Sequence, residues 1–111
     1  MADLEALHVK EAVDGVINLK DVPDKGATAC IPTPDSYEPG IVHSVSVLIS
    51  GVDVVDHVPV GEPVGDFFEF LISKLDLLNN TGPQKVFTYT FWDEVGNQHD
   101  SEPTVYDINH S

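Results

Sequence analysis

A chain of 111 residues with a hydrophobic fraction of 41% can form one domain with a substantial core, and it is too short for two. Nineteen acidic residues stand against five basic ones, all of them lysine, so the formal net charge is −14. This charge argues against nucleic acids and anionic membranes as partners, because both attract basic surfaces. No apolar run reaches the roughly 18 residues that a membrane-spanning helix needs.

The N-terminal part of the chain predicts short strands separated by loops. Residues 1–12 are polar and indicate a linker or leading arm, so the domain is predicted to span residues 13–111. The first two strands are predicted at Gly15–Leu19 and Ala27–Ile31. The second ends at Pro32, because proline lacks the amide that would donate to a neighbouring strand.

The middle of the chain contains two further strands and then a third that leads into a helical turn. The first two are predicted at Ile41–Ser50 and Val54–Val58. The third is predicted at Asp66–Ile72, and Ser73 is the predicted N-cap of the turn that follows it. No long helix separates any two strands, which argues against an α/β fold.

The C-terminal part predicts a β-hairpin. Aromatic residues alternate with threonine in Val86–Phe91, a pattern typical of a half-buried strand. A polar turn follows at Asp93–Asn97, and a second extended run at Thr104–Ile108 completes the hairpin. With the preceding elements this makes about seven short strands, which predicts an all-β fold of the antiparallel sandwich type.

The predicted core consists of side chains that repeat with a period of two along three strands, since alternate residues of a strand share a face. They are Val45, Val47, Ile49, Phe68, Phe70, Ile72, Phe87, Tyr89 and Phe91. Trp92 is out of phase with the last three, so partial exposure is predicted for it. An exposed tryptophan can mark a binding surface, but a tryptophan packed at the end of a sheet is structural, and both interpretations stay open.

The sequence contains no recognisable catalytic motif. A nucleophile elbow, a phosphate-binding loop and a dinucleotide fingerprint are all missing, so we predict that the chain is not an enzyme. Cys30 is the single cysteine, which rules out an intrachain disulfide. It lies in a predicted strand without a histidine nearby in sequence, and this favours a buried packing role over a nucleophilic one.

One acidic segment is the candidate metal site. Asp93, Glu94, Asp100 and Glu102 fall within ten residues of the predicted hairpin. Such a loop can supply several of the six to eight oxygen ligands that Ca²⁺ prefers, although the spacing is not that of an EF-hand. The alternative is a solvated loop. Ca²⁺ is therefore the one candidate ion, and no cofactor is predicted.

A second acidic cluster is a weaker metal candidate. Asp53, Asp56 and His57 lie close together in sequence. In a regular strand Asp53 and Asp56 point to opposite faces, which argues against joint chelation.

Four segments, taken in their order along the chain, form a recognisable series. They are Ala29–Pro32, the turn Asp35–Gly40 before the strand Val45–Ile49, Val64–Gly65 with Phe68–Ile72, and Phe87–Phe91 followed by Asp93, Gly96, Asn97, Ser101 and Pro103. In this order they resemble the immunoglobulin-like repeats of very large bacterial surface and secreted proteins, many of them adhesins. The resemblance runs from Glu11 to Ile108. Cys30 and Trp92 depart from the family's usual residues, and the Cys…Trp…Cys pattern of antibody domains is missing.

The resemblance implies an immunoglobulin-like fold and a structural role. Members of this family form arrays in which each unit is a spacer or stalk element of an exported protein, often in cell adhesion. It therefore implies a location at the cell surface or in the secreted fraction, neighbouring repeats of the same chain as partners, and a monomer in isolation. Two alternatives are a binding module whose end loops recognise a host protein or glycan, and a domain attached to an enzyme or toxin.

Overall fold

The computed structural model describes residues 4–33, 43–60, 65–92 and 96–109. In these ranges the chain forms nine strands, one 3₁₀ turn at Leu19–Asp21 and one α-helix, α1, at Lys74–Leu78. The strands are β1 His8–Val9, β2 Val16–Asn18, β3 Ala27–Pro32, β4 Ser44–Ile49, β5 Val52–Pro59, β6 Phe67–Ile72, β7 Gly82–Trp92, β8 Gln98–Asp100 and β9 Thr104–Asn109. No helix in these ranges is long and apolar enough to cross a bilayer.

The strands form two packed sheets, so the prediction of a mostly-β sandwich is confirmed. One sheet has three strands in the order β1-β3-β6. The other has six, in the order β2-β9-β7-β4-β5, with β8 pairing the far end of β7. Alternating side chains of both sheets meet between them and form one apolar core, as expected of two sheets packed face to face.

The strand predictions are largely correct, with two additions and one correction. Each predicted strand overlaps an observed one, and the short strands β1 and β8 were not predicted. The pairing is not antiparallel throughout, because β2 runs parallel to β9, with Val16 opposite Asp107 and Ile17 opposite Ile108. A parallel pair needs a long connection between its strands, and here most of the domain supplies it. Ile41, Val42 and Val64 lie outside the described residues.

The predicted core is confirmed except at one position. Eight of the nine residues predicted to point inward are at most 2% exposed. Phe70 packs against the core but is only partly buried. It lies on β6, an edge strand of the smaller sheet, and an edge strand has no neighbour on one side.

The segment predicted as a leading arm contributes to the core and supplies a strand to the smaller sheet. Leu7 and Val9 are buried, and β1 pairs with β3. The Val9 amide donates to the Tyr106 hydroxyl at 3.1 Å. Leu4 forms a bridge with Ser101, and its amide donates to the Asp100 carbonyl.

The described chain begins and ends at opposite ends of the six-stranded sheet. Strand β7 runs from Gly82, which pairs with Ile108, to Trp92, and Thr90 pairs with Asp100 beside Leu4. The eight residue-to-residue steps from Gly82 to Thr90 span about 26 Å at about 3.3 Å per step. The molecule is 41 Å long in its largest dimension. We call the end near Leu4 the N-terminal end and the end near Ile108 the C-terminal end.

The C-terminal end is closed by the 3₁₀ turn and by α1, which contact each other. The predicted N-cap is confirmed, because the Ser73 hydroxyl accepts from the Asp76 amide at 3.1 Å. Within α1 only Leu77 is fully buried. Gly26 has φ +115° and lies so close to Ile72 that a Cβ would collide with its carbonyl oxygen.

Candidate binding surface

The predicted calcium ligands fall partly outside the described residues. Asp93 and Glu94 are not described, whereas Asp100 and Glu102 are exposed and flank the buried Ser101. The Ser101 hydroxyl accepts from the Tyr89 amide at 2.9 Å, which fixes this segment against β7. Within the described parts of the chain, no group of three or more histidine, cysteine, aspartate or glutamate side chains could hold a metal ion. The calcium site stays a prediction.

Asp100 is already held by its own neighbours. Its Oδ1 accepts from Thr90 Oγ1 at 3.0 Å and from Gln98 Nε2 at 3.1 Å. All three side chains lie on the outer face of the six-stranded sheet, because Thr90 alternates with the buried Phe91 and pairs with Asp100. An ionised carboxylate accepts about four hydrogen bonds, so Asp100 retains acceptor capacity for a ligand.

Trp92 lies on the same outer face, beside this network. It pairs with Gln98 in the sheet and is partly buried, which confirms the predicted partial exposure. Its ring contacts the imidazole of His57, with centroids 4.2 Å apart and an interplanar angle of 33°. The result is a small aromatic surface next to fixed polar groups.

An irregularity in β5 brings His57 to Trp92. The register between β4 and β5 shifts on both sides of Val47, and His57 adopts φ +46°. The His57 amide donates to Ser46 Oγ at 2.8 Å, which stabilises this conformation. Left-handed backbone is uncommon outside glycine and is often retained where it positions a side chain for a purpose. Asp53 and Asp56, the other members of that sequence cluster, are both exposed on the same strand.

Trp92 and His57 lie far apart in sequence, and their contact depends on the register shift. One signal was available. Val54-Val55-Asp56-His57-Val58 does not alternate strictly between apolar and polar residues, and a broken alternation within a strand indicates a bulge. The position of that bulge relative to β7 is a tertiary property, so the pair itself could not be predicted.

We call the set Ser46, His57, Thr90, Trp92, Gln98 and Asp100 the Trp92 patch. It combines an aromatic stacking surface with amide and carboxylate groups fixed by hydrogen bonds. A few placed polar groups beside an aromatic side chain are what small-ligand recognition requires. The net charge of −14 disfavours anionic ligands and leaves neutral or cationic ones.

Two buried titratable groups lie away from this surface. Burial, followed by the charge of Glu69, raises the pKa of the Cys30 thiol, so it stays protonated at neutral pH and is a poor nucleophile. Burial also raises the pKa of Tyr89 to about 12, with a smaller contribution from Glu5. The Tyr89 hydroxyl donates to the Glu5 carbonyl at 2.6 Å, a structural role that ties the N-terminal segment to β7.

Comparison with protein-family models, with curated proteins and with solved structures finds no match to this chain. A functional assignment therefore depends on the sequence pattern and on the geometry described above.

Proposed function

We propose that this chain is an immunoglobulin-like module that acts as a spacer repeat in a large exported bacterial surface protein, with a role in cell adhesion. The observation that carries the proposal is the position of Leu4 and Ile108, which lie near opposite ends of the six-stranded sheet in a molecule 41 Å long. A unit whose ends diverge in this way extends an array along its long axis when copies are joined in series. The proposal assigns it no catalytic role.

The strand pairing supports an immunoglobulin-like topology. In that fold, strands B and E pair in one sheet and strands C, F and G pair in the other. Here β3 pairs with β6, while β7 lies between β4 and β9. The N-terminal segment divides between the sheets, with β1 on the smaller and β2 beside the last strand of the larger.

The acidic composition also fits a spacer. With a net charge of −14 per unit, successive copies repel each other wherever their sides approach. That repulsion favours an extended array over a collapsed one. At physiological ionic strength it acts over about 8 Å, so it affects neighbours and folded-back contacts only.

The test is the length of a concatemer. We expect chains of one, two and four copies joined directly to gain about 40 Å of maximum dimension per copy, as measured by small-angle X-ray scattering, because the unit is 41 Å long. A control series joined by a flexible twelve-residue linker should grow more slowly, since flexible chains scale with roughly the square root of length. A four-copy chain as compact as a single globule of its mass would contradict the spacer role.

A second candidate function, a binding module for a neutral glycan, is favoured by the Trp92 patch. Aromatic rings can stack on the apolar face of a sugar, while Asp100 and Gln98 offer hydrogen-bond partners to its hydroxyl groups. Trp92 is the only tryptophan, so intrinsic fluorescence reports on this surface alone.

Titration with a panel of neutral glycans is expected to shift the Trp92 emission in the wild-type chain. After His57→Ala, we expect the dissociation constant obtained from this titration to rise at least tenfold, because the second ring is removed. Val105→Ala, an exposed residue on β9, is the matched control and should leave the titration unchanged. Unchanged emission across the panel would contradict the glycan-binding role.

A further inference from the structure

The C-terminal end of the molecule carries an open groove of about 470 Å³. It is lined by Leu19 and Lys20 from the 3₁₀ turn and by Lys74, Leu75 and Leu78 from α1. Leu75 is 64% exposed and Leu78 is 41% exposed. Two exposed leucines on one short helix, beside a groove, form an apolar surface bordered by cations.

The groove is held in shape by the fold around it. The Lys74 ammonium donates to the Val22 carbonyl at 3.1 Å, which ties α1 to the segment that follows the 3₁₀ turn. Leu77 anchors the helix in the core and therefore turns Leu75 and Leu78 away from it. The exposure of these two leucines thus follows from the burial of a third.

Charge is distributed unevenly between the two ends. Four of the five lysines, Lys20, Lys25, Lys74 and Lys85, lie on elements of the C-terminal end. Asp21, Asp24, Asp76 and Asp107 also lie there, but the residues that line the groove carry only positive charge. Carboxylates at the N-terminal end, among the described residues, belong to Glu5, Asp66, Asp100 and Glu102, and no lysine accompanies them there.

The N-terminal end also presents an apolar side chain beside one of these carboxylates. Phe67 is 36% exposed, and its ring meets the His8 ring edge-on with centroids 5.5 Å apart. Asp66 precedes it and is exposed, while its backbone carbonyl accepts from the Thr33 amide at 2.9 Å. The Asp66–Phe67 corner therefore offers a carboxylate and an aromatic ring from a fixed backbone.

We propose that the groove formed by Leu19, Lys20, Lys74, Leu75 and Leu78 binds the Asp66–Phe67 corner of a second copy of this chain, end to end. Phe67 packs against the leucines and Asp66 pairs with the lysines. The contact joins two different surfaces, so it generates an open row of copies and not a closed dimer. This inference rests on the proposed spacer function and gives its array a defined junction.

The contact is small, and we expect a dissociation constant in the millimolar range for separate chains. Neighbours in one polypeptide experience effective concentrations of about millimolar, which makes such a weak contact sufficient within an array. The isolated chain therefore stays monomeric at micromolar concentration. The first test is an amide chemical-shift series on the ¹⁵N-labelled 111-residue chain from 0.05 to 2 mM, at 150 mM NaCl to screen general repulsion.

We expect concentration-dependent shifts at both ends of the molecule, at Lys74 to Leu78 and at Asp66 to Phe68, and constant shifts on the outer face of the six-stranded sheet. Two double variants then test the pairing. L75S/L78S removes the apolar surface of the groove, and D66N/F67S removes the corner. Each variant alone should therefore show amide chemical shifts that do not change with concentration. Mixed in equal amounts they should associate again, because each retains the surface that the other lacks, and they should stop at one-to-one pairs.

V52S/V105S is the matched control, since both residues are exposed valines of the six-stranded sheet and belong to neither surface, and it should associate like the wild-type chain. If D66N/F67S does not fold, D66K on the exposed turn replaces it in the same mixing experiment. Constant shifts up to 2 mM, or a mixture that behaves like its separate components, would overturn the proposed contact. The spacer function would survive that result, because concatemer length tests it separately.

Discussion

At the scale of single residues, burial decides how much each aromatic side chain contributes to stability. Phe87 is fully buried, whereas Phe70 is on an edge strand and only partly buried. We expect Phe87→Ala to reduce the free energy of unfolding by about 3–5 kcal/mol, the range for a buried phenylalanine. Phe70→Ala should reduce the free energy of unfolding by clearly less, since part of the Phe70 side chain is already exposed to water in the folded chain. Urea denaturation of both variants measures the difference, and equal costs would contradict the assigned burial.

The raised pKa of Tyr89 predicts that the free energy of unfolding depends on pH in the alkaline range. Burial raises its pKa to about 12 in the folded chain, above its usual value of 10 in the unfolded one. The folded state therefore holds the phenolic proton more tightly. The resulting stabilisation is fully present below pH 10 and is lost as the pH rises from 10 toward 12.

Comparison with Tyr89→Phe isolates this contribution, because phenylalanine has no proton to lose. We expect wild-type stability, measured by urea denaturation, to fall more steeply than that of the variant between pH 10 and 11.5. The two proteins differ in no other titratable group. Parallel curves for the two chains would contradict the raised pKa.

At the scale of elements, Gly26 shows how a turn is coupled to a strand. Its φ of +115° and its contact with the Ile72 carbonyl both require the absence of a Cβ. Gly51 has a comparable φ of +84° but open space around it. Gly51→Ala should therefore lower the free energy of unfolding by the backbone strain alone, about 1–2 kcal/mol. Gly26→Ala should lower it by at least twice as much, because the new Cβ also collides with the Ile72 carbonyl. Thermal unfolding of both variants tests this, and a smaller loss at Gly26 would contradict the close packing of β3 and β6.

At the scale of the whole molecule, the net charge of −14 controls the response to salt and to calcium. NaCl should raise the melting temperature by screening repulsion between carboxylates. Millimolar CaCl₂ at equal ionic strength should raise it further only if a specific site exists, because a ligand of the folded state stabilises by mass action. For the isolated chain we expect equal melting temperatures, since a site at a junction would need ligands from a neighbouring copy.

Asp93→Asn supplies the control for that measurement. An additional rise in CaCl₂ that disappears in this variant would contradict the expectation and establish a site in the β7–β8 loop. An additional rise that persists would instead place the calcium ligands elsewhere in the chain.

Local sequence patterns were sufficient to predict most of the strands, the helix cap and most of the core. Alternation along Val45–Ile49 and Phe87–Phe91 identified the inward faces, because the side-chain period of a strand is fixed by local backbone geometry. Ser73 could be assigned as a cap for the same local reason. These features depend on residues within a few positions of each other.

Strand pairing and the contacts between distant side chains depend on tertiary packing. The parallel pair of β2 and β9, the contact of His57 with Trp92 and the groove between the 3₁₀ turn and α1 all join residues far apart in sequence. The parallel pair and the groove depend on strand order, and the contact of His57 with Trp92 depends on the register shift in β5. Strand order and register are both set by how the two sheets pack. Local periodicity carries no information about those quantities, because a strand shows the same alternation beside any neighbour.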